Sequence, residues 1–97
     1  MSSLSILKSN CEVGDSCNIN SNVTIGVDAK IGNYVQIGAN STISENVEIG
    51  NKAFIGSGVT VVAGVKIGDN ARIGAGSVVI TDVPKNKTVF GNPAKEI

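Results

Sequence analysis

Histidine and tryptophan are missing from all 97 residues, and one tyrosine and two phenylalanines are the only aromatic residues. Without histidine there is no imidazole general base, no Ser-His or Cys-His nucleophile pair and no imidazole metal ligand. Charge is scarce and balanced, with eight Lys and Arg against eight Asp and Glu. Nucleic-acid binding wants a basic face or stacking rings, so that class is set aside. Cys11 and Cys17 form no CxxC pair and lack partners for a metal or redox role, so they read as reduced, small core residues. There is no apolar run of about 18 residues and no signal-peptide pattern, which indicates neither a membrane span nor secretion and implies the cytoplasm. A mean hydropathy of +0.19 with 16% charged residues excludes disorder.

What is present is a period of six. From Val13 the chain places Ile or Val at 19, 25, 31, 37, 43, 49, 55, 61, 67, 73 and 79, and Leu7 extends the series backward. Two residues before each hit stands a small or β-branched residue, from Cys11 and Cys17 through Val23, Ala29, Val35 and Ser41 to Ser77. Extended chain alternates its side chains, so the two positions share one face. The residue after each hit is usually Gly, and the third is rich in types that accept a positive φ: Asn22, Asp28, Asn40, Asn46, Gly58, Gly64, Asn70 and Gly76. Strand and corner, three times over, make a triangular coil of 18 residues. Stacked coils give an all-β parallel β-helix in a single domain, 1–97, with about four coils over roughly 7–84 and a C-terminal tail at 85–97.

Stacking implies columns. Glu12, Lys30, Glu48 and Lys66 should lie above one another with alternating sign, each neighbour pair adding a few tenths of a kcal/mol. Thr24, Thr42 and Thr60 form a second column. Val62, Val78 and Ile80 should point outward, and an outward apolar patch marks a self-association face. Pro84 ends the run because it cannot continue a central strand; Lys85-Asn86-Lys87 and Gly91-Asn92-Pro93 read as turns around a short extended Thr88-Val89-Phe90. This tail can cover one open end. The Ser-rich start, Met1 to Asn10, covers the other poorly, as though another domain had been removed or the coil end left exposed.

Ile31-Gly32-Asn33-Tyr34-Val35, Ile55-Gly56-Ser57-Gly58-Val59-Thr60-Val61 and Ile73-Gly74-Ala75-Gly76-Ser77-Val78-Val79 resemble the hexapeptide-repeat acyltransferases. So does the ending, Asp82-Val83-Pro84 and Val89-Phe90-Gly91-Asn92-Pro93-Ala94-Lys95. The best-fitting subgroup is the sialic-acid O-acetyltransferase and bacillosamine N-acetyltransferase type. The resemblance covers about residues 11 to 95. It implies a left-handed helix, an exception to the usual crossover hand, assembled as a homotrimer, with acetyl-CoA in a groove between adjacent subunits and an amino- or nucleotide-sugar as acceptor. The family pattern Val-Asp-His-Asp-x-x-Ile-Gly aligns with the stretch ending at Ile31-Gly32, and Val27 occupies the catalytic His position. A second family His, near the thioester, falls on Gln36. Asp28 is the remaining candidate base, though its corner position suits a turn. The Gln36 amide could donate to a thioester oxygen or stand simply as an exposed polar residue. The resemblance also puts Gly56, Ser57, Gly74 and Ala75 along the cofactor groove; Lys85, Lys87 and Lys95, near the C-terminus, could meet CoA phosphates, though each alone reads first as a solvated surface Lys.

Three readings from different classes follow: an acetyl-CoA-dependent sugar acetyltransferase domain that is active or inactivated; a non-catalytic trimeric scaffold, including an excised or engineered C-terminal domain; and an ice-binding β-helix. The third is disfavoured because the rank beside the Thr column is Gly26, Ser44 and Val62. The gamma-type carbonic anhydrase on this fold is excluded because its zinc ligands are His. Sedimentation checks the assembly: a trimer at micromolar concentration is expected, and a monomer refutes the face assigned to Val62, Val78 and Ile80.

Overall fold

A computed structural model describes residues 6–97; residues 1–5 of the expected N-terminal cover lie outside them. The strands are two residues long through most of the chain, one at each repeat. They stack on three faces. The first holds Ile6–Leu7, Thr24–Ile25, Thr42–Ile43, Thr60–Val61 and Val78–Val79. The second holds Glu12–Val13, Lys30–Ile31, Glu48–Ile49 and Lys66–Ile67. The third holds Asn18–Ile19, Gln36–Ile37, Phe54–Ile55, Arg72–Ile73 and Thr88–Gly91, closed by an antiparallel strand, Ala94–Glu96. The result is a triangular prism of 33 × 21 × 20 Å. No helix among the described residues is long and apolar enough to cross a membrane.

Each face repeats the same hydrogen bonds. The residue before and the residue after each inward Ile donate forward to the next coil, as in Thr24 N–H to Ser41 O (3.1 Å) and Gly26 N–H to Ile43 O (2.7 Å). The corner residue donates backward, as in Asp28 N–H to Ser9 O (3.0 Å). Alternation then sends the repeat residues inward. Ile25, Ile37, Ile43, Ile55 and Ile73 are fully buried, with Val23, Val35, Val47 and Val59 beside them. Burying one such chain contributes about 2 kcal/mol. Small polar residues in the inner column find carbonyls: Ser41 Oγ donates to Gly56 O (2.9 Å), Cys11 Sγ to Gly26 O (2.9 Å) and Cys17 Sγ to Gly32 O (3.0 Å). Both cysteines are free and half-buried.

The regular pairings join residues 18 apart, but Ile67–Val83, Arg72–Thr88 and Ile73–Val89 join residues 16 apart. Two residues are dropped after Val79, and the repeat resumes in a new phase with Val83 and Val89 buried. The expected tail therefore begins as a continuation of the stack, which reaches five strands on the first face and adds Thr88–Gly91 to the third. The dropped residues cost the second face one backbone acceptor. Asp82 supplies it: its Oδ1 accepts from Lys66 N–H at 2.9 Å. Val83 is the last layer of that face, so Pro84 stands where an N–H would have no further coil to reach.

The expected charge column is present in register, Glu12 beside Lys30, Lys30 beside Glu48 and Glu48 beside Lys66. Ile43, sealed by coils above and below, tests the packing. Ile43→Ala is expected to lower unfolding free energy by about 3 kcal/mol, read from the urea midpoint.

Candidate functional site

Positive φ recurs at the third residue after each inward position: Asn10, Ser16, Asn22, Asp28, Tyr34, Asn40, Asn46, Lys52, Gly58, Gly64, Asn70 and Gly76, then Asn86 in the shifted phase. Most are Asn, Asp, Ser or Gly, which accept that geometry at little cost. Tyr34 (φ 59°) and Lys52 (φ 62°) are bulky exceptions, one directly above the other. The residue before the corner makes a second ladder. Asn33 Oδ1 accepts from Asp15 N–H, Asn51 Oδ1 from Asn33 N–H and Asp69 Oδ1 from Asn51 N–H, each at 2.8 Å. These oxygens sit where a Cβ on Gly14, Gly32 or Gly50 would have to go. The Gly of one coil is thus demanded by the amide or carboxylate of the next.

Val27 and Asp28 lie at the corner between the first and second faces, both exposed, with the Asp28 backbone fixed at φ 61°. Gln36 projects from the third face, across the triangle. Within one chain the structure does not bring these positions together. Gln36 instead lines a depression of about 480 Å³ with Tyr34, Lys52, Ala53, Phe54, Asn70, Arg72, Asn86 and Thr88. Two outward columns bound it: the corner column Tyr34, Lys52, Asn70, Asn86 and the strand column Gln36, Phe54, Arg72, Thr88.

The corner between the third and first faces brings Gly56, Ser57, Gly74 and Ala75 together. Ser57 and Ala75 are exposed, and Ser57 O accepts from Gly76 N–H at 2.8 Å. Gly56 is buried under Ala75, whose backbone N lies 2.7 Å from where a Cβ would be. Gly74 is roofed by the Phe90 ring, which occupies its Cβ direction. Lys95 is exposed on the closing strand opposite Phe90. Lys87 is exposed beside Arg72, whose N–H donates to Lys87 O at 2.8 Å, whereas Lys85 is exposed along the second face. Of the expected apolar patch, Val62 and Val78 are half-buried and Val62 packs on the core; only Ile80 is open, at 50%. The outward apolar surface there is smaller than the sequence suggests.

Sequence reasoning missed Lys52, Phe54 and Arg72 and gave Tyr34 no role. The signal was available: stepping 18 from Gln36 reaches Phe54 and Arg72, and stepping 18 from Tyr34 reaches Lys52. All the aromatic residues, Tyr34, Phe54 and Phe90, are exposed, and all stand on the third face or its corner.

The model of the GMPPB C-terminal domain family matches residues 2–95. No curated protein matches the chain in sequence. Among solved structures the chain is similar to a mutant of GDP-perosamine N-acetyl transferase from Caulobacter crescentus in complex with CoA and GDP-perosamine: 26% identity, 98% of this chain, 54% of that one, TM-score 0.75. It is similar to a maltose O-acetyltransferase from Clostridium difficile 630: 30% identity, 96% of this chain, 64% of that one, TM-score 0.87. It is also similar to a hexapeptide-repeat containing acetyltransferase from Vibrio cholerae: 27% identity, 96% of this chain, 69% of that one, TM-score 0.82. The chain spans about half the length of the perosamine enzyme.

The corner backbone has a measurable consequence. Tyr34→Asn replaces a bulky residue in the left-handed region with a type suited to it, and is expected to stabilise the chain by about 1 kcal/mol in thermal or urea unfolding.

Proposed function

We propose, from the premise that the chain belongs to the GMPPB C-terminal domain family and shares the fold of the hexapeptide-repeat sugar acetyltransferases, that it is an acetyl-CoA-dependent sugar O- or N-acetyltransferase-type domain whose catalysis is lost or weak. The observation that carries the second half is the absence of histidine from the whole sequence. Acetyl transfer from a thioester to a sugar hydroxyl or amine needs a group to take the acceptor's proton during attack. Losing that base costs roughly 10²–10⁴-fold. Val27 offers no lone pair. Asp28 is adjacent and ionisable, but its backbone is committed to the corner.

The groove chemistry supports retention of the cofactor. Ser57 and Ala75 keep the third corner low enough for a pantetheine arm to run along it, while Gly56 and Gly74 let successive coils close beneath. Gln36 would donate its amide to a thioester oxygen. Val27 and Gln36 lie on opposite sides of the triangle, so they would meet only where the corner of one copy faces the third face of another. That supports a homotrimer with the groove between subunits. The perosamine enzyme binds CoA and GDP-perosamine, which favours a nucleotide- or amino-sugar acceptor and a cytoplasmic setting.

The second reading is a non-catalytic trimeric scaffold, favoured by the Phe90 ring seated over Gly74 in the expected groove. Calorimetry separates the two. Micromolar binding of acetyl-CoA is expected; no binding at millimolar acetyl-CoA overturns the transferase reading and leaves the scaffold. With binding in hand, the Val27→His, Gln36→His double variant is expected to gain acetyl transfer to an amino- or hydroxy-sugar by roughly two orders of magnitude or more.

A further inference from the structure

The second face carries a pattern of its own. Its outward strand positions are Glu12, Lys30, Glu48 and Lys66, one per coil, in register and all exposed. Beside each stands a glycine, Gly14, Gly32, Gly50 and Gly68, so the strip next to the charges carries no side chain. The equivalent strip on the first face holds Lys8, Gly26, Ser44, Val62 and Ile80. A shallow trough of about 490 Å³ runs along the second face as a result, bounded by the charged column and by Gly32, Gly50 and Gly68.

This column suits no small ion. Layers lie about 4.8 Å apart, so an anion at Lys30 meets Glu12 and Glu48 on either side, and a cation at Glu48 meets two lysines. What fits is a surface with the opposite alternation at the same spacing. The chain itself carries one, because Glu-Lys-Glu-Lys taken backward is Lys-Glu-Lys-Glu.

We propose that the second face pairs with the same face of a second copy, antiparallel, about a two-fold axis crossing the stack between the Lys30 and Glu48 layers. A face can meet itself about a two-fold along the stack or one across it. The first sets each layer against the same layer, Glu on Glu and Lys on Lys. The second reverses the order, so that Glu12 meets Lys66 of the second copy and Lys30 meets its Glu48. Symmetry repeats both, giving four opposite pairs over roughly 14 Å. A two-fold across the stack also leaves sideways position unchanged, so the column falls on itself wherever it lies on the face. Asp82 overhangs the pairing, with its Oδ1 already held by Lys66 N–H at 2.9 Å.

Five layers on a prism about 20 Å across offer on the order of 500 Å² per copy, roughly 1,000 Å² in all, the size of a weak and reversible contact. Exposed charge pairs are screened by salt, so association is expected at low salt, with a dissociation constant of roughly tens to hundreds of micromolar. The contact does not rest on the transferase reading. It leaves Gln36 and the corner of Ser57 and Ala75 uncovered, and where trimers form it joins one trimer to the next.

Sedimentation equilibrium of the whole chain tests this, from about 10 µM to about 1 mM, at roughly 20 mM and roughly 500 mM NaCl. The mass is expected to rise with concentration at low salt, with association about tenfold or more weaker at high salt. Lys30→Glu alone and Glu48→Lys alone each turn two of the four pairs to like charge, and each is expected to weaken association by about tenfold or more. Mixed together, the two variants regain four opposite pairs between unlike copies and are expected to associate as tightly as the native chain. A role confined to one chain cannot give that rescue, because mixing changes neither fold. Melting curves check that each variant folds, and Glu12→Lys with Lys66→Glu repeats the mixing test at the outer pairs. A mass indifferent to salt and concentration, single variants that associate like the native chain, or a mixture no tighter than its components overturns the proposal and leaves the face to a different partner. A salt-resistant trimer with no further step sinks this contact alone; a salt-sensitive dimer with no trimer sinks the trimer reading alone.

Discussion

Everything in this chain hangs on the vertical register between coils. A strand two residues long has no stability of its own; it is held because the residues flanking each inward Ile donate to the coil ahead while the corner residue donates to the coil behind, all at 2.7–3.1 Å for Thr24, Gly26 and Asp28 and their equivalents. Register also decides what is buried. With 18 residues per coil, Ile25 falls on Ile43 and Ile43 on Val61, and each seals the next. A slip of one residue would turn Thr42 inward and Ile43 out.

The corners protect that register. Left-handed backbone at one place per repeat turns the chain without using extra residues, and the Asn and Asp oxygens at 33, 51 and 69 tie each corner to the coil before it. Gly14, Gly32 and Gly50 leave room for those oxygens, so the glycine pattern is a steric demand from the neighbouring layer as much as a conformational one. The same logic explains the end of the stack. Losing two residues after Val79 would leave Lys66 N–H without its carbonyl, and the Asp82 carboxylate replaces it. The edge of the third face is then protected, as the antiparallel Ala94–Glu96 strand covers Thr88–Gly91 and Ile97 N–H closes on Thr88 O at 3.0 Å.

The residues the register leaves free face outward. Outward columns at 18-residue spacing carry no packing duty, so their chemistry is open to selection for use. The second face carries alternating charge, Glu12, Lys30, Glu48, Lys66, with Asp82 continuing the alternation after the slip. The third collects rings and cations, and the corner beyond it stays small.

The period of six was enough to read the coils, the inward columns and the corners, because each repeat obeys the same local alternation and the same turn chemistry. It was also enough to place Val27 and Gln36 against a family pattern. On an 18-residue triangular coil these two, nine apart, fall half a coil from each other, and the stacked structure has them at a corner and on the face across from it. The period could not show the two-residue slip, which is visible only when Val83 and Val89 are found buried and Asp82 is found bonded. The depression at Tyr34, Lys52, Phe54 and Arg72 joins residues 18 apart in two columns, and that neighbourhood exists only once the coils are stacked. Sequence by itself determined the repeating unit and, at a step of 18, the outward columns, because the same local physics acts in every six residues; the tertiary structure alone decided where the stack slips and which two columns bound one depression, because those contacts form between coils.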